Sequence, residues 1–352
     1  MADSIKRVRD VMAGLTPDRP PLFDLLPNDA VLQHFSDGVP VEPGNDQAAI
    51  KAICRAIDGT RRAQFSPHTP GQRTLDDGRV QQLERWTAWT PHVQYSSSEE
   101  YAEDRRKWCK QTQETLATPH DFAGDSSYQE SLQLRASFGD ECYYLMSSYS
   151  PGLMSIVFGP GIEQFSFFLA DCEDVIIEQL ETFTLLAERW AKGLPDGDPF
   201  EMCFMGEDMA FKTGPVVRPS WLAEHYFPRL KRVVDAIHAR GKKVMFHSDG
   251  NLNPIMDNLV EAGIDALNPV EIAAGMDIGD LHQRYPDLVF AGGIDVSHLL
   301  PFGTPQQVRD ATVRAIDDAE GRILVGSSTE VHESVPLENF LAMRQAAMDY
   351  RF

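Results

Sequence analysis

From Glu201 to the C-terminus the chain repeats one unit five times: a short apolar run, a polar turn, then an amphipathic stretch that a glycine or a new turn closes. The apolar runs are Glu201 to Met205, Lys243 to Phe246, Ala266 to Asn268, Leu288 to Ala291 and Ile323 to Val325. The helical stretches are Ser220 to Arg240 with Ser220 as N-cap, Pro254 to Ala262, Ile278 to Tyr285, a helix from the capping box at Thr304 to about Ala319, and Pro336 to Tyr350. Strands joined through helices in this way pair in parallel, because a parallel neighbour is reached only by a crossover. Three earlier runs, Pro21 to Leu25, Arg62 to Phe65 and Cys142 to Met146, bring the set to eight, with a helix from about Cys172 to Lys192 after the third. The expected fold class is therefore α/β, a (β/α)8 TIM barrel, for which 352 residues suffice.

Residues 70–140 interrupt this plan. Asp76-Asp77-Gly78 is a turn signal, so Thr74 to Val93 is expected to be a β-hairpin with Trp86 and Trp89 on its second arm. The charged stretch Ser98 to Gln113 is expected to be a solvated helix. The insertion would cover the barrel mouth or build a subunit contact, within one domain spanning residues 1–352.

Asp and Glu outnumber Lys and Arg by 53 to 32, a formal charge of -21, which disfavours nucleic acid and anionic membranes as partners. The five cysteines are scattered without a CxxC pair, as in a reduced protein. The N-terminal stretch lacks the apolar core of a signal peptide, and no run approaches the roughly 20 residues of a membrane span. A cytoplasmic protein is expected.

The strand ends carry the chemistry. Glu207 and Asp208 follow the first of the five late runs. His247 and Asp249 follow the second, Asn268 and Glu271 the third, Asp295 the fourth, and Ser327, Ser328, Glu330 and His332 the fifth. In a barrel such ends share one rim, and adjacent glycines let backbone approach a ligand. Bland alternatives stand beside each. Asp249 either serves the site or caps the next helix, Asp295 forms a turn or binds, and His332 packs against a loop or joins a metal shell. Lys212 is a surface lysine or neutralises an acidic ligand. His225, His238, His282 and His298 are expected to be solvated. His247, Asp249 and Asp208 are the candidate catalytic residues. Asn28, Lys212, Asn268, Asp295 and Ser327 are the candidate substrate-binding residues, and His247, Asp249, Glu271, Glu330 and His332 the candidate metal ligands.

These stretches resemble the uroporphyrinogen decarboxylase superfamily, which also holds cobalamin-linked methyltransferases. The resemblance is carried by Gly241 to Asn251, Gly263-Ile264-Asp265-Ala266-Leu267-Asn268-Pro269, Gly275-Met276-Asp277, Gly292-Gly293-Ile294-Asp295 and Val335-Pro336-Leu337-Glu338-Asn339. It implies a barrel with a deep cleft at the strand C-termini and, often, a homodimer. The decarboxylases carry Arg-Gln-Ala-Gly-Arg after the first strand, whereas this chain reads Leu22-Phe23-Asp24-Leu25-Leu26-Pro27-Asn28-Asp29-Ala30 there. The methyltransferases place zinc on a His-x-Cys pair and a later cysteine. Here His247 matches, Asp249 replaces the first cysteine, and Gly326-Ser327-Ser328 holds none. Imidazole and carboxylate leave a metal harder than thiolate does, which suits polarising oxygen rather than activating a thiol.

The expected function is transfer of a methyl group between a small methoxylated or methylated compound and a corrinoid carried by a partner protein, since the chain has no Asp-x-His-x-x-Gly cobalamin motif. Zinc in a non-thiolate site is the expected metal. The alternatives are a metal-free lyase or decarboxylase on a smaller acid, with His247 and Asp249 as acid-base pair, and a non-catalytic ligand-binding relative.

Overall fold

The computed structural model describes residues 3–61 and 63–352. Seven strands form one parallel sheet in chain order: β1 (Gly59–Arg61), β2 (Tyr143–Ser147), β3 (Met202–Gly206), β4 (Lys243–His247), β5 (Ala266–Asn268), β6 (Val289–Ile294) and β7 (Ile323–Ser327). Leu22 bridges in parallel to Val325 of β7, and Phe23 to Gly59 of β1. That segment is the eighth stave, and the fold is the expected (β/α)8 barrel. Val244, Met245 and Phe246 are wholly buried, as are Phe290 and Ala291, which is why these strands read as unbroken apolar runs.

The chain divides into two compact units. The first comprises Met1–Thr90, Glu130–Met146 and Asp265–Phe352, the second Pro91–Gln129 and Ser147–Ile264. In the first unit β6 pairs with β5 and β7, with Phe290 opposite Leu267 and Ile323. The capping box at Thr304 is present: Thr304 accepts from the Gln307 N–H, Gln307 reaches back to the Thr304 N–H, and the helix runs Pro305–Asp318.

Two early strands differ from expectation. The run Pro21 to Leu25 contributes only the bridges at Leu22 and Phe23, since Pro20 and Pro21 cannot donate to a ladder. The second strand lies earlier than Arg62 to Phe65, at Gly59–Arg61 (Arg62 falls outside the described residues). The hairpin is real but three-stranded. Gly71–Thr74 pairs with Val80–Leu83, which pairs with Ala88–Trp89, so Trp89 stands on a third strand and Trp86 in the turn before it. The Trp86 indole donates to Asp29 at 3.1 Å.

In the second unit β3 and β4 pair over their full length. The helix Ser98–Thr115 is less solvated than expected. It buries Tyr101, Ala102 and Cys109, and Gln179 of the helix Glu173–Gly193 donates to the Tyr101 hydroxyl at 2.8 Å. The single helix expected over Ser220 to Arg240 is broken. Pro219 is its first residue, Arg218 rather than Ser220 takes the N-cap position, and a π-turn at Leu222–Tyr226 precedes Phe227–His238. Pro228 has no N–H and its ring crowds the carbonyl four residues back, which the wider turn accommodates. His238 and His298 are exposed, but His225 and His282 are largely buried, contrary to expectation. No helix among the described residues is long and apolar enough to cross a membrane.

Candidate metal and active site

Register builds the site. Gly206 stands opposite His247 where β3 and β4 end. Two residues beyond each lie Asp208 and Asp249, so two loops leave the sheet side by side with a carboxylate at the same step. The His247 Nε2 is 3.5 Å from Asp208 Oδ1. One ligand atom from each of Asp208, His247 and Asp249 lies within 4.8 Å of the others, and among the described residues this is the one such group of three or more His, Cys, Asp or Glu.

The surroundings fix these three. His247 is 8% exposed, its ring tilted against Phe204 with centroids 5.2 Å apart. The Glu207 N–H donates to the His247 carbonyl at 2.9 Å, extending the ladder by one step. Ser248 ties the loops together: its hydroxyl accepts the Met209 N–H at 3.0 Å and donates to the Asp249 carbonyl at 3.0 Å. The Asp249 N–H points to Asp208 Oδ1 at 3.4 Å. The next helical turn begins at Asn253 with Leu252 in the N-cap position, so Asp249 is not its cap.

Gly250 has φ +93, and a Cβ there would lie 2.5 Å from the Ala210 carbonyl oxygen. Only glycine lets this loop pass so close to the small hairpin formed by Ala210–Phe211 and Gly214–Pro215. Lys212 is exposed at the tip of that hairpin.

Glu207 and Asp208 part company. Glu207 is fully buried and accepts three backbone N–H groups, from Gly152 (2.7 Å), Leu153 (3.0 Å) and Met154 (2.7 Å). Burial pushes its pKa up, and these hydrogen bonds oppose the rise. It holds the start of the helix Leu153–Phe158, while Asp208, one residue on, is left to the site.

The other candidates belong to the first unit. Asn28 is 1% exposed and caps the helix Asp29–Phe35. It accepts from the Val31 N–H and donates to the carbonyls of His332 and Val335. The Asn268 amide donates to the Ala291 carbonyl at 3.4 Å, and the Asn268–Pro269 peptide is cis. Asp295 accepts from the N–H groups of Ser297 (2.8 Å) and Leu299 (3.3 Å), the geometry of a turn former. Ser327 donates twice to Asp24. His332 lies 3.3 Å from the Val296 carbonyl through Nε2 and accepts the Ser334 N–H through Nδ1. Glu271 and Glu330 are half-buried, and neither they nor His332 are members of the converging group. Sequence reasoning passed over Asp24 and Ser248. Asp24 is a carboxylate inside an apolar run and Ser248 stands between His247 and Asp249, the signals that could have found them.

The thiolate zinc set of the methyltransferases does not fit these residues. All five cysteines are free and buried, and none joins the converging group. Burial pushes Cys203 up to about 12 and raises Cys109, Cys142 and Cys172 as well, so these four are not poised as thiolates.

Residues 205–350 match the family model described as uroporphyrinogen decarboxylase (URO-D). Among solved structures the chain is similar to a methyltransferase from Methanosarcina mazei, with TM-score 0.67, 14% identity and 98% of both chains covered. It also aligns with a B12-independent methionine synthase from Shewanella sp. W3-18-1, with TM-score 0.47, 12% identity, and 93% of this chain and 97% of that one covered. No curated protein matches. The family match covers the C-terminal part of the chain, residues 205–350, which is where the sequence motifs resemble that family, and the likeness to the methyltransferase structure shows a shared fold.

Proposed function

We propose that the protein is a methyl-transfer enzyme acting on a small methoxylated or methylated compound, with a corrinoid on a partner protein as the other methyl carrier. The observation that supports this reading is the convergence of Asp208, His247 and Asp249 at the paired ends of β3 and β4, in a chain whose residues 205–350 match the uroporphyrinogen decarboxylase family model. Breaking a methyl–oxygen bond leaves the bonding pair on oxygen, while the acceptor supplies the pair that takes the methyl carbon. The departing oxygen then needs positive charge or a proton. In the metal-free protein His247, buried beside Asp208, is placed to protonate that oxygen from Nε2, with the two carboxylates orienting it; with an ion held by the three residues, the ion would supply the positive charge instead. The corrinoid of the partner protein would supply the nucleophilic cobalt in this reading, and the chain supplies geometry and field.

The test is methyl transfer from a panel of methoxylated aromatic and aliphatic compounds to free cob(I)alamin, followed by its absorbance. His247→Ala is expected to lower the rate roughly 100-fold or more. Absence of transfer from every compound by folded protein overturns the reading.

A second reading rests on the 3.5 Å approach of His247 to Asp208. That pair suits acid-base work on a smaller acid, as a lyase or decarboxylase. Carbon dioxide release from small carboxylic acids, unchanged in chelator, would favour it.

A further inference from the structure

We infer that Asp208, His247 and Asp249 bind a divalent first-row cation, from manganese(II) to zinc(II), without any thiolate, and that its remaining positions take a substrate through oxygen atoms. This rests on the reading of the same three residues as the reaction centre, and it departs from the thiolate zinc of the related methyltransferases.

Three observations carry it. The donor set is two carboxylates and one imidazole, whose formal charge of two matches a dication when the imidazole is neutral. Two ligands held about 2.1 Å from one ion at a tetrahedral angle stand about 3.4 Å apart, and His247 Nε2 and Asp208 Oδ1 are 3.5 Å apart. The ligands are also fixed before any ion arrives. The register of β3 and β4 sets their height, and the Ser248 hydroxyl clamps the two loops.

Chemistry narrows the ion. An imidazole disfavours magnesium and calcium, which prefer oxygen alone, and the lack of thiolate disfavours the softest ions. What remains is the first-row divalent series from manganese(II) to zinc(II). The substrate side follows from exposure. His247 is buried, while the Asp208 side chain is one-third exposed, at 33%, so an ion seated on the three keeps positions open on the carboxylate side. A hard ion takes oxygen there. The ligand class is a compound presenting two neighbouring oxygens, such as a hydroxyl beside a methoxyl, and not a thiol.

The experiment titrates the whole protein with Mn2+ alone, read by electron paramagnetic resonance and by the shift in Tm. One ion per chain is expected, with a raised Tm. Asp208→Asn and Asp249→Asn are each expected to weaken binding at least tenfold while keeping the wild-type circular dichroism. Addition of 2-methoxyphenol should broaden the bound-ion spectrum, and 2-mercaptoethanol should not. Lack of saturable binding of Mn2+ and of Zn2+ by folded wild type, or binding undiminished in both variants, overturns the inference. Ion binding without methyl transfer leaves it standing and removes the functional reading. Methyl transfer that persists with no bound ion does the reverse.

Discussion

Ser327, at the end of β7, donates both its backbone N–H (2.6 Å) and its hydroxyl (2.9 Å) to the carboxylate of Asp24, just beyond the bridge at Phe23. Asp24 is 5% exposed, and burial pushes its pKa up to about 7 against the pull of these bonds and of the Leu25 N–H, with the charge of Glu330 adding to the rise. An unfolded aspartate titrates near 3.8, so between about pH 4 and pH 7 the folded protein holds a proton that the unfolded chain has lost. The stabilisation from this group is complete below that window and is lost as pH rises through about 7. Urea denaturation of wild type and Asp24→Asn at pH 5 and pH 8 should show the wild-type advantage shrinking by about 3 kcal/mol at the higher pH. A difference independent of pH would contradict the assignment.

Asp58 shows the opposite shift. Arg19 grips it through both terminal nitrogens, at 2.7 and 2.8 Å, Arg7 approaches to 3.4 Å, and the Leu22 N–H adds a bond at 2.9 Å. Burial alone would raise the pKa of Asp58, but the hydrogen bonds and charge of Arg19 outweigh it and hold it below the ordinary value. Its stabilisation is therefore present above the ordinary carboxylate pKa and is lost only as acid drives pH below it. Asp58→Ala takes the carboxylate partner from Arg19, which is 7% exposed, while Arg7 keeps its pair with Asp18. Chemical denaturation at pH 7 should show a loss of about 3–5 kcal/mol. A loss below about 1 kcal/mol would mean that Arg19 finds another partner.

What could be read in the sequence divides along physical lines. From Met202 onward each strand rises from an apolar run buried on both faces, and pattern alone places most of them within a residue or two. Near the start, the bridges at Leu22 and Phe23 and the strand Gly59–Arg61 are flanked by Arg19 and Asp58, buried as a pair, and by Asp24, buried on the donors of Ser327. Nothing in one-dimensional pattern marks a charge as paired, so the second strand is misplaced. His247 and Asp249 stand out because an imidazole and a carboxylate end an apolar run. That Asp208 is their closest companion follows from Gly206 facing His247, a register that no local sequence encodes. Burial likewise separates Glu207 from Asp208, two adjacent acids that look alike in the chain.

Glu207 is the support on which that separation depends. Its carboxylate is the side-chain acceptor for three successive N–H groups at Gly152, Leu153 and Met154. Glu207→Ala leaves those donors without it and opens a cavity beside β3. A loss of about 3 kcal/mol is expected in thermal or urea unfolding. Glu207→Gln keeps one acceptor oxygen and should lose less. Hydrogen exchange at Gly152 to Met154 should quicken in the alanine variant before exchange in β4 does. Uniform quickening of both would assign Glu207 a global role instead.

Gly250 separates strain from placement. An alanine Cβ would meet the backbone carbonyl oxygens of Ala210 at 2.5 Å and Phe211 at 2.8 Å, so the loop carrying Asp249 must move away from the small hairpin. The bond from the Asn251 N–H to the Phe211 carbonyl, 2.9 Å long, would be strained or lost. Gly197 also has a positive φ, +77, but nothing lies within 4 Å of its absent Cβ. Both alanine variants should lose about 1–3 kcal/mol from the left-handed backbone. Only Gly250→Ala should also disturb the centre, because a shift near 1 Å in a positioned group costs about 100-fold in rate. The pair is checked by unfolding free energy together with Mn2+ affinity and methyl transfer. Equal loss of function in both variants would show that the 249–251 loop has no special bearing on the site.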